Sequence, residues 1–497
     1  MKRRTFCKTT LGAGIAATLP TASTLAALNA LTPLEGDITA VTTSGDEILI
    51  GQAAANGLKE SLSGALLFPN DDGYESARRV WNGMIDRRPA MIAICATDTD
   101  VARSISFAAD RNLLLSVRGG GHSYPGKGVC EKGLMIDLSA MHSVIVNPET
   151  RTATAQGGAL LGHLDSAALA QNLVTTTGVV SHTGVGGFTL GGGMGRTDRV
   201  HGLAVDNVLE ATLVTPDGQI RRVSTDENED LFWAIRGGGG NFGVATRFTY
   251  RLYPFNPTIY GGSLYYPWSQ AREVLTFWAE VNDSLPDAAS VEPMGHVNAD
   301  GERVMDLQLY FAGSHEEGEK VFTQFQRVGK PISVDLGLKS YQAVQTMWDG
   351  PTAHGQLNYL KSGLLPALTP GAIDAIVESY AGDYLPEVWF QHLGGASSRI
   401  QPEATAYPHR RMHSNYGISA TWKDPAESEA RIAKIREIYA AVQPHMQGFY
   451  TNLHEDTESK TWNNYGVNYE RLVRIKNNYD PNNQFRLNAN IKPTVSA

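Results

Sequence analysis

His122 closes the run Ser116-Val117-Arg118-Gly119-Gly120-Gly121-His122-Ser123, directly after the apolar segment Asn112-Leu113-Leu114-Leu115. Three successive glycines remove every Cβ from the loop, so backbone N–H groups can approach an anion closely. Arg118 adds positive charge beside them. An imidazole at the end of such a loop is a nucleophile held against whatever the loop binds. A lone histidine after a turn is otherwise a surface or capping residue, so the rest of the chain must decide.

Two further glycine clusters bear on it. Residues 178–195 contain eight glycines in eighteen positions, with Ser181, His182 and Thr183 among them. The stretch Leu231-Phe232-Trp233-Ala234-Ile235-Arg236 runs into Gly237-Gly238-Gly239-Gly240-Asn241-Phe242-Gly243-Val244. Clustered, non-repetitive glycine indicates backbone wrapped around a ligand rather than side-chain packing. No metal-ligand spacing occurs.

The elements that must position these residues follow from pattern. Met91–Ala96 reads as a strand and Val101–Arg111 as a helix behind the cluster Thr97-Asp98-Thr99-Asp100. Residues 40–90 read as helical pattern. Strands are expected at 113–117, 134–138, 144–146, 151–156, 209–215 and 246–253, with a helix at 160–171. Residues 178–195 read as loop. Beyond Pro254 glycine becomes sparse. Helices are expected there at 272–285, 316–327, 370–381 and 425–442, strands at 305–311 and 414–422, and a last, basic helix at 468–479. Alternating strands and helices with glycine-rich junctions indicate an α+β cofactor domain, followed by an α+β domain with an antiparallel sheet.

A chain of 497 residues is too long for one core. A net charge of −9 argues against nucleic acid as a partner. Lys2-Arg3-Arg4-Thr5-Phe6-Cys7-Lys8 and the apolar run 11–30 read as a signal peptide over residues 1–30. Its Arg3-Arg4-x-Phe6 pattern resembles a twin-arginine export signal, which places the mature protein in the periplasm or outside the cell with no membrane span. Gly12-Ala13-Gly14 formally begins a dinucleotide fingerprint, but no strand precedes it. Of the cysteines, Cys95 reads as a buried thiol and Cys130 sits in a Gly-rich loop; a disulfide between them is open in an exported protein.

Four separated segments resemble one family. The Arg118–Ser123 loop is similar to the covalent flavin-attachment loop of berberine-bridge-type FAD-linked oxidases, within the vanillyl-alcohol-oxidase class. Gly178–Gly195 resembles their second flavin-embracing loop, and Trp233–Val244 the stretch closing their FAD domain. Asn468-Tyr469-Glu470-Arg471-Leu472 with Asp480-Pro481 and Phe485-x-x-Asn488 resembles their C-terminal module. The resemblance implies a two-part FAD-binding domain of PCMH type, residues 80–255 plus a returning module at 448–495, with a substrate domain at 256–447 inserted between.

It further implies FAD held by an 8α-histidyl bond from His122. The implied cofactor-binding set adds Arg118, Gly119, Gly120, Gly121, Ser123, Ser181, His182, Thr183, Gly186, Gly187, Gly191, Gly195, Val244 and Asn488. Many members add a second bond from a cysteine; Val180 stands at that position, so one bond is expected. Plant members carry a tyrosine where Met194 stands, and a Glu or Gln base on the strand corresponding to 416–422, where none occurs. Tyr450, with Tyr359 and Lys361, is therefore the implied catalytic group. The implied activity is oxidation of a small-molecule alcohol or amine with dioxygen as acceptor, giving hydrogen peroxide. A dehydrogenase with another acceptor and a carbohydrate oxidase are the alternatives. Thr183, short and β-branched, favours oxygen access.

Overall fold

The computed structural model describes residues 34–382, 384–453 and 461–494. The expected signal segment, residues 1–30, lies outside them. Among the described residues no helix is long and apolar enough to cross a membrane.

The architecture is α+β, built on two sheet systems. The first begins with Met91–Ile94, four apolar residues buried on both faces. A mixed four-stranded sheet forms around it. Ala65–Leu67 pairs antiparallel on one side, and Leu134–Asp137 then Leu115–Arg118 pair parallel on the other. The helix Asp98–Ala109 covers this sheet. Thr97 caps it reciprocally with Asp100, whose carboxylate also binds the amides of Ser63 and Gly64. A five-stranded antiparallel sheet stands beside it, with Val208–Val214 and Val244–Arg251 at its centre.

The second system is one seven-stranded antiparallel sheet with Ser333–Ser340 and Leu357–Leu365 at its edges and Thr258–Pro267 and Ser414–Trp422 next to them. One of its faces is apolar. Val291, Leu307, Leu309, Val388 and Ile418 pack there against the helices Ala271–Val281, Pro370–Ser379 and Ser428–Val442. Each such aliphatic side chain contributes about 1.5–3 kcal/mol on burial, which fixes which face turns inward. The opposite face is polar and turns toward the first system.

Two expectations are corrected. Residues 38–50 are not helical. Ile38–Val41 and Glu47–Ile50 form a hairpin around Gly45, whose φ of +93° suits glycine. The glycine-rich stretch 178–195 is not all loop, because Val185–Leu190 forms a short helix within it. Cys95 and Cys130 are both free and buried, so no disulfide links them. Cys130 instead lies 3.3 Å from the Ser116 hydroxyl.

Candidate active site

The parallel register sets Arg118 opposite Asp137. Its guanidinium is committed there, bonding both oxygens of the fully buried carboxylate and donating to the Arg79 carbonyl at 2.9 Å. Arg118 lines the cavity, but its expected service as an anion's counter-charge is corrected: Asp137 already neutralises it. The loop amides are left for that task.

Beyond Arg118 the glycines are required by contact. A Cβ on Gly120 would stand 2.4 Å from the Gly184 nitrogen, and one on Gly184 2.2 Å from the Gly120 nitrogen. The first and second glycine loops thus touch backbone to backbone. Gly121, at φ +69°, then turns the chain so that His122 stacks on Trp81, with ring centroids 4.2 Å apart. His122 Nε2 lies 3.1 Å from His182 Nδ1, and the His354 ring follows 5.0 Å from that of His182. Burial, then the neighbouring His182 and His354, hold the His122 pKa well below the usual histidine value. At neutral pH it is an uncharged imidazole with a lone pair, which is the nucleophilic form. His182 Nε2 is buried and has no hydrogen-bond partner among the described residues. Asp349 accepts the Ser181 amide at 2.8 Å and its hydroxyl at 2.6 Å, fixing the loop behind the histidines.

His122, Ser123, Thr183, Gly186, Gly187, Val244 and Asn488 all border one cavity with the Arg118–Gly121 loop. Gly187 has no atom within 4 Å of where a Cβ would stand, so a side chain there would occupy the lumen. Gly191 and Gly195 serve differently. Their missing Cβ positions are filled by Asn452 Oδ1 at 2.1 Å and the Thr177 carbonyl at 1.8 Å. They allow packing behind the wall, as Ser181 does. Val180 does line the cavity, and it offers no nucleophile.

The C-terminal module reaches the same wall. Lys476, on the helix Tyr469–Tyr479, bonds Asp480 at 2.6 Å, the Asn241 carbonyl at 2.8 Å and the Phe485 carbonyl at 2.9 Å, all buried. This knot brings in Asn488, which donates to the Gly240 carbonyl at 2.9 Å.

Tyr450 lines the cavity too. Its oxygen accepts from the Gly193 amide at 3.1 Å, the Met194 amide at 3.2 Å and Asn452 Nδ2 at 2.9 Å. Burial pushes its pKa up to about 12, against the pull of those three donors. The donors favour a phenolate, while the surroundings favour the phenol.

The polar face of the seven-stranded sheet closes the cavity with Glu292, Met294, Gln308, Glu387, Trp389, Gln391 and Ser419. Tyr359 and Lys361 are not on it, and their expected catalytic placement is corrected. The register pairs Tyr359 with Ala420 and Lys361 with Ile418. Both therefore share the apolar face turned to the helices, where the Tyr359 hydroxyl accepts from Arg436 Nε at 3.1 Å. Of the tryptophans beyond Pro254, Trp348 and Trp389 line the cavity, whereas Trp268 and Trp422 belong to the core beneath the sheet.

A dinucleotide with a flat ring system suits this cavity: glycine backbone on one side, an unoccupied Cβ position at Gly187, and a neutral imidazole at the loop's end. The FAD-binding-domain family profile matches residues 89–224, and the profile described as berberine and berberine like matches residues 450–492. An FAD-linked oxidoreductase of Dictyostelium discoideum is 30% identical over 448 residues, covering 87% of this chain and 96% of its own length. This chain belongs to the FAD-linked oxidoreductases. A 6-hydroxy-D-nicotine oxidase from Arthrobacter nicotinovorans superimposes on this oxidoreductase with a TM-score of 0.80 at 27% identity, covering 87% of this chain and 98% of that one. A glucooligosaccharide oxidase of Sarocladium strictum is 28% identical over 479 residues, covering 85% of this chain and 91% of its own length. The oxidoreductase thus binds FAD in a fold shared with oxidases of different substrates.

The residues missed from sequence are those of the sheet wall. Their one signal was alternation: Glu292-x-Met294, Asp306-x-Gln308-x-Tyr310 and Glu387-x-Trp389-x-Gln391 repeat polar or large groups at period two.

Proposed function

We propose that this oxidoreductase is an oxidase of small-molecule alcohols or amines that carries FAD on a single covalent bond to His122. The bound flavin supplies the hydride acceptor and is restored by dioxygen, which leaves as hydrogen peroxide. The chain's own residues do the rest. Neutral His122, at the end of the glycine loop, is the nucleophile for attachment, and the valine at 180 leaves no second tether. Tyr450 faces the same cavity and exchanges the substrate O–H or N–H proton at its phenolic oxygen. Its three N–H donors stabilise the charge that forms there. The polar sheet wall orients the reacting C–H. The observation that carries the reading is the placement of His122 and Tyr450 on one cavity, each with its reactive atom held by specific partners.

The test is an anaerobic screen of alcohols, amines and sugars for loss of the oxidised flavin absorption, followed by admission of air. Rapid recovery of the colour with stoichiometric peroxide is expected. Reduced enzyme that persists in air-saturated buffer overturns the oxidase reading in favour of a dehydrogenase. For attachment, acid-precipitated protein should retain flavin fluorescence, and His122→Ala should release it to the supernatant.

Export follows from the Arg3-Arg4-x-Phe6 segment and the apolar run behind it. Replacing both arginines with lysine should leave the precursor, with its signal segment still attached, in the cytoplasmic fraction.

A further inference from the structure

Glu387 opens the strand Glu387–His392, in which 387, 389 and 391 face the cavity while Val388, Phe390 and His392 are buried. Its register partner is Ser419, and that of Trp389 is Gly417. The missing side chain at 417 lets the indole lie flat on the sheet: a Cβ there would meet Trp389 Cζ2 at 2.1 Å. Trp389 Nε1 donates to Ser419 Oγ at 3.0 Å, which pins the ring beside the Glu387 row. Across the lumen stands Tyr124, two residues beyond His122. Its phenol is pushed up by burial and then by the Glu387 charge, and both residues line the one cavity.

Arg118, Arg196 and Glu292, which also line the cavity, are matched. Arg118 is paired with Asp137. Arg196 is paired with Glu292 at 3.4 Å, bonds Gln345 at 3.0 Å and lies over the Tyr310 ring. Glu387 differs from Glu292: among the described residues no hydrogen bond or ion pair engages it, and burial alone raises its pKa. Its side chain stands exposed in the lumen, so a ligand that fills the cavity strips its water, and a carboxylate stripped of water without a cation is costly. Aromatic faces flanking it attract cations further.

We propose that Glu387, flanked by Trp389 and Tyr124, is the specificity-determining residue of this cavity and that the substrate is a cationic amine. This rests on the reading of the cavity as a substrate-oxidising site, and narrows that reading from alcohols or amines to amines. A protonated amine gives Glu387 the counter-charge the protein withholds, and its carbon skeleton lies against the indole. A neutral alcohol or sugar leaves the carboxylate's desolvation uncompensated. The amine is seated by Glu387 near the cavity wall opposite the attachment loop, and its N–H proton leaves by way of Tyr450.

The experiment compares 3-hydroxyphenyltrimethylammonium with its neutral isostere 3-tert-butylphenol. Each is titrated into the flavin-loaded enzyme and read by perturbation of the flavin absorption band and by tryptophan fluorescence. Neither probe needs to be turned over. The cation is expected to bind at least about 30-fold more tightly than the isostere, the magnitude that a desolvated charge pair supplies. In Glu387→Gln that preference should fall to less than about threefold. The Kd of the phenol and the acid-stable flavin content should stay at wild-type values. Equal binding of the two probes by the wild type, or no binding of the cation, overturns the proposal whether or not the variant folds. A preference retained in Glu387→Gln overturns the role of that residue. The parallel bleaching screen separates the two readings. If only neutral alcohols or sugars such as cellobiose reduce the flavin, the amine proposal fails while the oxidase stands. If no compound of any class does, the oxidase reading itself fails.

Discussion

The two walls of the cavity are made of different material. The FAD side is backbone: glycine loops in contact with one another, held by a neutral histidine and a buried lysine knot. The sheet side is side chain: Glu292, Gln308, Glu387, Trp389 and Gln391 projecting from three strands. Substitution on the first wall moves main chain, with nowhere for it to go. Substitution on the second exchanges one projecting group for another while the backbone ladder stays. One wall should therefore fail all or none, and the other should tune.

The largest expected effect tests the rigid wall. Gly120→Val places a branched side chain where Gly184 backbone lies 2.4 Å from the Cβ position. The two loops must part, and no assembled flavin site is expected. Absent acid-stable flavin and activity at background would bear this out; a yellow, active variant would show that the loop contact is dispensable. By contrast, Gln391→Ala on the sheet wall should keep full flavin and change KM by no more than about tenfold, the scale of one hydrogen bond.

Next comes the group that both walls serve. Tyr450→Phe should lower kcat by about 10²- to 10⁴-fold, the usual contribution of a positioned acid–base group, with flavin content unchanged. The sign of the pH dependence follows from the phenol held at about 12. Only its deprotonated form accepts a proton, so in the wild type kcat/KM should climb with pH across the neutral and alkaline range. The Phe variant should lose the part of the climb that Tyr450 supplies. A pH-independent wild-type profile would remove Tyr450 as the base.

Stability separates the walls again. Lys476→Ala leaves the Asp480 carboxylate buried without its partner and frees two backbone carbonyls. A loss of about 3–5 kcal/mol is expected, visible as a lowered denaturation midpoint with flavin released early. Exposed pairs such as Arg222 with Glu210 should matter by less than about 1 kcal/mol when broken.

The same contrast explains what the sequence revealed. Close backbone approach demands consecutive glycines, so the FAD wall is written as contiguous runs: Gly119–Gly121, Gly184–Gly187, Gly237–Gly240. His122 could be picked out because the glycines that carry it adjoin it in the chain, whereas Trp81, His182 and His354, which it meets in space, do not. The sheet wall gathers residues 292, 308, 387 and 419 by strand pairing, and no local pattern announces which strands will be adjacent. Asp137, which takes Arg118's charge, reads in sequence as one acidic residue at the end of an apolar strand. Only the parallel register brings it opposite. The strand Ser414–Trp422 was legible to the residue. The strand Leu357–Leu365 was not, and with it the direction of its side chains was lost.

That direction gives the smallest expected effect and the most exacting test of the sheet's register. Tyr359 and Lys361 alternate with Leu360 and Ser362, and pairing with Ser414–Trp422 decides which pair meets the cavity. With Tyr359 opposite Ala420, both longer side chains face the helix Ser428–Val442, where Arg436 donates to the tyrosine hydroxyl. Tyr359→Phe and Lys361→Ala should therefore leave kcat and KM within about twofold of wild type, with any loss confined to the ~1 kcal/mol of an exchanged hydrogen bond. A slip of one residue would turn every side chain of the strand over. A large kinetic loss in either variant would therefore mean that Leu360 and Ser362 face the helices instead, and that the polar wall ends at a different strand.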